Sequence, residues 1–384
     1  MKTNPPLKAW LSFAALASLA VYILACGTSF SPDDSKVLYT TINPKSGACA
    51  IAVYDRATRT SRTVFEPMKV IADKPDEKAL ILRPQWTADG RSIVTAFAPS
   101  ENHGLIITVC PVEGDKAVRA LLLPDIGKGF ELIQACLPIA GSSVFFGIES
   151  NKFVRIDLET GDQLVTNGLP GMQFFPTSRR DAIAYTACVD EKTKKVEIGI
   201  MNTATFGRKM LFQVPDVRDN EPPFFALSRD GSLLALPGKD TNGSIICRIL
   251  KKDAAERRLS VAATNEDFTL GNAVFLPDGG TVCYTYVSRQ EPETNRTYGI
   301  VEIPVDGGKP RRTPLLRGPK DDQLGFFQMD LSNDGRMAAV ASTYICAEKA
   351  SDSKDCALFL VDLTDPERKI TKVPVPVLPR KTTD

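Results

Sequence analysis

The sequence predicts an all-β protein: a seven-bladed β-propeller of four-stranded blades, preceded by a cleaved signal peptide. Three observations predict it. A unit of apolar run, tight polar turn and second apolar run recurs seven times, the turns keep one register, and no long amphipathic helical stretch follows the apolar N-terminus.

The chain opens with Lys2 and Lys8, followed by an uncharged apolar run at 9–25 (AWLSFAALASLAVYILA) that ends in a small residue. A basic start, an apolar stretch and a small residue before the cut are the parts of an export signal. The segment Ile23-Leu24-Ala25-Cys26-Gly27 resembles the bacterial lipobox. That resemblance implies a diacylglyceryl thioether on Cys26, cleavage before it, and often acylation of the new amino group. The run is also at the short limit of a bilayer-spanning helix, so an uncleaved anchor or an ordinary signal peptide is the competing reading. More than one acyl chain would hold the protein firmly, where one binds only marginally. Gly27 is not the Asp of the enterobacterial inner-membrane retention rule, which favours the outer membrane.

The mature chain, 26–384, is read as one propeller domain behind the signal at 1–25. Its repeats are FSPDDSKVLY (30–39), WTADGRSIVT (86–95), LPIAGSSVFF (137–146), PTSRRDAIAY (176–185), LSRDGSLLAL (227–236), FLPDGGTVCY (275–284) and LSNDGRMAAV (331–340). The turn position is held by Asp34, Gly90, Gly141, Arg180, Gly231, Gly279 and Gly335. Three residues later each copy is apolar, at Val37, Ile93, Val144, Ile183, Leu234, Val282 and Ala338. Asp-Gly between apolar runs signals a hairpin, because Gly supplies the positive φ of a tight turn. Successive turn positions lie 39 to 56 residues apart, a period that suits a four-stranded blade. A third strand and second turn follow, as in IAVYDRAT (51–58), VRIDLETG (154–161) and IVEIPVDG (300–307), and then a fourth apolar run. Blades are placed at about 28–67, 82–125, 130–168, 171–214, 222–264, 270–316 and 324–379. Six or eight blades, or a pair of β-sandwiches, are the alternatives. A propeller explains the spacing better, since each sheet buries its faces against its neighbours.

The F-S-P-D-G-x-x-I-A-F type of repeat resembles the TolB-like, or PD40, β-propeller family. The Ala140-Gly141 and Arg179-Arg180 turns depart from it, and the Gly-His and Trp-Asp signatures of WD40 repeats are missing.

Lys+Arg 47 against Asp+Glu 46 leaves no basic arm or stripe, which excludes a nucleic-acid partner. Nine cysteines leave eight beside Cys26, and none has C-x-x-C spacing. Zinc and thioredoxin-like chemistry are therefore not expected. An oxidising compartment permits disulfides, and the expected pair is Cys346 with Cys356, which flank the polar loop 347–355. The other cysteines, in runs such as IIC (245–247) and VCY (282–284), read as small buried hydrophobes.

His103, the single histidine, lies in a polar loop without a neighbouring motif, and no G-x-S-x-G elbow is present. One histidine excludes an imidazole-rich metal site. The acids at Asp33-Asp34, at 73–77 and at Asp321-Asp322 lack the ligand pattern of a calcium loop and read as solvated turns. Gly279-Gly280 and Gly307-Gly308 are hairpin turns, not a phosphate loop. No cofactor or metal is expected, and the chain is expected not to be an enzyme. The expected function is a lipid-anchored, non-catalytic binding scaffold of the cell envelope. It faces the periplasm or surface, with membrane contact through the lipid and with protein partners that the TolB-like resemblance implies. The alternative is a carboxylate-based propeller enzyme or a carbohydrate-binding protein that uses the central channel.

Overall fold

The computed structural model describes residues 27–42, 49–65, 80–81, 84–98, 105–113, 119–123, 133–138, 143–148, 152–157, 160–168, 173–175, 182–190, 195–215, 225–252, 254–263, 267–289, 295–319, 328–341 and 358–373. Every described element is a strand or a turn. The signal segment, Cys26, His103, Cys346, Cys356, Asp321 and the acids at 73–77 lie outside the described residues.

Strands assemble into seven antiparallel sheets in chain order, at 28–65, 80–123, 133–167, 173–215, 226–262, 267–319 and 328–373. The β-propeller class is as expected, with one correction to its blades. Six sheets have four strands, and the second, at 80–123, has five. Its first strand is split, so that Leu80–Ile81 pairs with one half of Ser92–Ala98 and Gln85–Trp86 with the other. The break ends at Pro84, which has no N–H to give the ladder.

The first strands form the inner ring. Thr28–Phe30 of blade 1 lies against Gln328–Leu331 of blade 7 and Gln85–Trp86 of blade 2. Likewise Asp267–Phe275 of blade 6 lies between its counterparts in blades 5 and 7. Each apolar cluster then spans two neighbouring blades. Leu38, Ile51, Val53 and Phe65 of blade 1 pack on Trp86, Ile93 and Cys110 of blade 2. Phe30, Val37, Tyr39 and Tyr54 pack on Leu358, Leu360 and Val373 of blade 7, which closes the ring. The repeated apolar position is the heart of each sheet: Val37, Ile93, Ile183, Leu234, Val282 and Ala338 are all 0% exposed. Burial of one such aliphatic side chain stabilises by about 1.5–3 kcal/mol.

Outer strands carry bulges against the third strands, at Ile51/Ala52, Ile198/Gly199, Ile245/Ile246 and Tyr298/Gly299. Two of these sites require glycine. A Cβ at Gly199 would meet the Tyr185 ring at 2.6 Å, and one at Gly299 would meet Tyr286 at 2.8 Å. In both cases the tyrosine stands directly opposite the glycine across the ladder and covers it.

The first-to-second turns of neighbouring blades abut. A Cβ on Gly335 (φ +70°) would stand 2.5 Å from Cδ of Pro277 in the preceding turn, whereas Gly161 (φ +77°) has nothing within 4 Å. Gly161→Ala is expected to lose only the left-handed penalty of about 1–2 kcal/mol. Gly335→Ala should lose clearly more, read as a lower urea midpoint. Equal midpoints for the two variants would show that the turns do not press on each other.

Candidate functional site

Propeller strands alternate in direction, so one end of the disc gathers the first-to-second and third-to-outer turns. The other end gathers the second-to-third hairpins and the crossovers between blades. Of the five first-to-second turns among the described residues, those of blades 1, 2, 5 and 7 are built from one repeated cassette; the turns with Gly141 and Arg180 lie outside the described residues. In blade 2 the Thr87 hydroxyl donates to Asp89 Oδ1 (2.6 Å), Asp89 Oδ1 accepts the Arg91 N–H (3.0 Å), and Ser92 N–H donates to Thr87 Oγ1 (3.1 Å). The same three bonds recur as Ser31–Asp33–Ser35–Lys36, Ser228–Asp230–Ser232–Leu233 and Ser332–Asp334–Arg336–Met337. Small hydroxyl and carboxylate side chains that bond their own backbone are what such turns select. Blade 6 keeps only Asp278 Oδ1 with the Gly280 N–H, because Leu276 stands where the hydroxyl would be.

Asp33 and Asp230 are lowered to about 2, by the serine hydroxyls Ser31 and Ser228 first and then by the turn N–H groups. Asp89 and Asp334 are lowered through Thr87 and Ser332 in the same way. These carboxylates are not simply solvated, as the sequence reading had Asp33-Asp34. Asp34 takes φ 58°, the left-handed position that glycine holds in the other described copies. Its carboxylate accepts the Asn333 backbone N–H at 3.0 Å and the Asn333 side-chain amide at 2.8 Å, from blade 7. The departure from Asp-Gly in the first repeat is therefore the clasp of the ring.

Arginines staple the turn end from blade to blade. Arg62, Arg155, Arg257 and Arg311 donate to the carbonyls of Val112, Ala204, Val305 and Pro366, each at the third-to-outer turn of the next blade. Arg368 of blade 7 holds Glu302 of blade 6 through two bonds of 2.7 and 2.8 Å, with side chains 14% and 8% exposed.

Along the axis, the first strand of each sheet has one backbone edge without a strand partner. Neighbouring blades supply the acceptors: Asp330 Oδ2 takes the Phe30 N–H (2.9 Å) and Asn272 Oδ1 the Met329 N–H (3.3 Å). The Trp86 indole donates to the Ser29 carbonyl (3.0 Å). Thr28 Oγ1 and Gln85 Nε2, on the adjoining inner strands of blades 1 and 2, are buried without a hydrogen-bond partner among the described residues. They could bond a water or a polar ligand group at the axis.

Cys110, Cys247 and Cys283 are free and buried. Burial pushes the Cys110 and Cys247 thiols up to about 12, and that of Cys283 higher. They pack as small hydrophobes. No group of metal-ligating side chains is present among the described residues.

No family model matches the chain, and no curated protein does. Solved structures do. The β-propeller domain of the Trilobed protease from Pyrococcus furiosus, described as having an open velcro topology, is similar with TM-score 0.51 at 16% identity, over 89% of this chain and 95% of that one. TolB from Acinetobacter baumannii is similar with TM-score 0.48 at 14% identity, over 89% of this chain. The match spans 64% of that TolB. An oligogalacturonate lyase in complex with manganese is similar with TM-score 0.49 at 13% identity, over 88% of this chain and 83% of that one. At such identities the likeness shows the fold alone. The expectation that the chain is not an enzyme is corrected here. A similar propeller is a domain of a protease, so a single histidine and a missing elbow motif do not exclude catalysis.

Two tests follow from the turn end. Asp34→Gly restores the repeat's glycine and relieves the left-handed residue, worth less than the general penalty of about 1–2 kcal/mol because Asp tolerates that region. It also removes the bonds from Asn333, which lie exposed to solvent and are worth about 0.5–1.5 kcal/mol each, and with them one of the two contacts that align the closing seam. A net loss of thermal stability is expected, and an unchanged or raised Tm would remove Asp34 from the closure. The turn carboxylates titrate lower in the folded protein than in the unfolded chain. Their stabilisation is therefore complete above the ordinary carboxylate value and lost as pH falls towards about 2. Urea midpoints from pH 5 to about 2 should fall less steeply for Asp33→Asn/Asp230→Asn than for the parent. Parallel curves would show the turns to be unlinked to acid stability.

Proposed function

We propose that the protein is a propeller binding scaffold of the bacterial cell envelope. Lipid on Cys26 tethers it, and its turn end is presented to an envelope protein. The observation that carries this reading is the repeated hydrogen-bonded cassette. It holds the exposed middle residues of the turns of blades 2, 5 and 7, namely Ala88, Arg229 and Asn333, on a backbone pinned from both sides. A surface ordered before it meets its partner loses little conformational entropy on binding. Export and lipid attachment rest on Lys2, Lys8, the apolar run at 9–25 and Ile23–Cys26, read above. The outer membrane is the proposed site, from Gly27.

Photocrosslinking amino acids at Arg229 and Thr58 on the turn end, and at Met210 on the outer strand of blade 4, test it in intact cells. Discrete adducts with an envelope protein are expected at the first two positions and not at Met210. Adducts at Met210 alone, or none at any position, would overturn the turn end as the binding surface.

A further inference from the structure

We infer that the disc lies flat on the membrane with its hairpin end against the lipid surface, so that only the turn end is open to the aqueous compartment. The inference rests on lipid attachment at Cys26, proposed above, and adds the face and the orientation.

Gly27, the residue that follows Cys26, is part of the blade 1 sheet. Its N–H donates to Thr40 Oγ1 (3.1 Å) and its carbonyl accepts the Thr40 N–H (3.1 Å). Thr40 is 6% exposed. The attachment point is thus one Cα step, about 3.8 Å, from a backbone locked into the fold. Beyond Thr40 the ladder of the second and third strands has only two more pairs, Thr41↔Ala50 and Ile42↔Cys49. At about 3.3 Å per residue the sheet extends roughly 7 Å further. Along the described strands of blade 1 there is no slack between Gly27 and acyl chains that begin at the Cys26 sulfur.

Direction and radial position complete the argument. The strand Thr28–Phe30 runs from Gly27 towards the Asp33-Asp34 turn, so the anchor leaves from the end opposite the turns. This strand belongs to the inner ring, between the first strands of blades 7 and 2. An anchor at the rim would let the disc hang by one edge, whereas an anchor beside the axis draws the whole hairpin end down. The turn cassettes and the arginine staples then face away from the bilayer.

Blade 5 carries exposed reporters on both ends: Arg229 in its first-to-second turn and Thr241 in its second-to-third hairpin. A fluorophore is placed at either position through an amber codon in the full-length lipoprotein. The purified protein is inserted into phosphatidylethanolamine–phosphatidylglycerol vesicles that carry a headgroup-linked quencher, and the N-terminal peptide is weighed by mass spectrometry. With Cys26 acylated, the Thr241 reporter is expected to lose most of its emission and the Arg229 reporter little. A flexible Gly/Ser insert between Cys26 and Gly27 should abolish that difference while leaving the lipid in place. Equal quenching at both positions, or stronger quenching at Arg229, on acylated protein would overturn the orientation and leave the anchor standing. An unmodified Cys26 would overturn both.

Discussion

The seam between blades 7 and 1 is where this ring has to be closed without help from the covalent chain. Phe30 and Asp330, which meet there, are 300 residues apart, and among the described residues neither terminal sheet takes a strand from the other. The contacts described across this seam are all made by side chains. Seven large apolar groups, namely Phe30, Val37, Tyr39, Tyr54, Leu358, Leu360 and Val373, are buried in the seam. At about 1.5–3 kcal/mol each they outweigh the few hydrogen bonds beside them. The polar contacts contribute something the apolar ones lack, which is register. Asp34 with Asn333 at the turn end and Asp330 with the Phe30 N–H at the axis fix the two sheets at two points. A sliding apolar interface becomes one with a single alignment.

The seams between blades 1 and 2, 5 and 6, and 6 and 7 use the same division of labour with different residues. Apolar clusters supply the area, and arginines from one blade reach carbonyls at the next blade's third-to-outer turn. Carbonyls at a turn have no strand partner, and a guanidinium can bond them without matching a particular side chain. The staple therefore survives wide variation between repeats. Arg155 leaves the third strand of blade 3, while Arg62, Arg257 and Arg311 leave outer strands, and all reach equivalent turns. Between blades 6 and 7 a buried carboxylate joins in, and Arg368 with Glu302 forms a two-pronged pair beside Cys283. Loss of one partner of such a pair is costly, because the other charge stays buried.

How much of this was legible depends on how local the cause is. The Asp-Gly turns and the apolar residue three places on are short-range features, and they placed the strands around Trp86, Leu227 and Phe275. Asp34 was legible only as a departure from the repeat. Its reason lies in Asn333, a residue brought near by ring closure. The split first strand of blade 2 has a visible sign in Pro84, which has no N–H for the ladder. The arginine staples had no sign, since any exposed arginine looks alike until the next blade's turn is in place. Gly199 and Gly299 were similarly silent, because the tyrosines over them come from the neighbouring strand. The axis groups, Thr28 and Gln85, could not be told from ordinary strand residues without knowing that the first strand is innermost.

Anchoring and closure then act on the same three-residue strand. Under the proposed lipidation, any force between membrane and domain enters at Gly27 and passes along Thr28–Phe30. There the pairs Thr28↔Tyr39, Ser29↔Leu38 and Phe30↔Val37 lie along the direction of pull and share the load. The bond from the Phe30 N–H to Asp330 carries part of it across the seam into blade 7, and the Ser29 carbonyl carries part through the Trp86 indole into blade 2. An inner strand this short would be a weak attachment in an isolated sheet. Bound on one side by its ladder and on its free edge by both neighbouring blades, it transmits tension to three sheets at once. The groups that close the ring are thus the groups that let a lipid at its axis hold the whole disc.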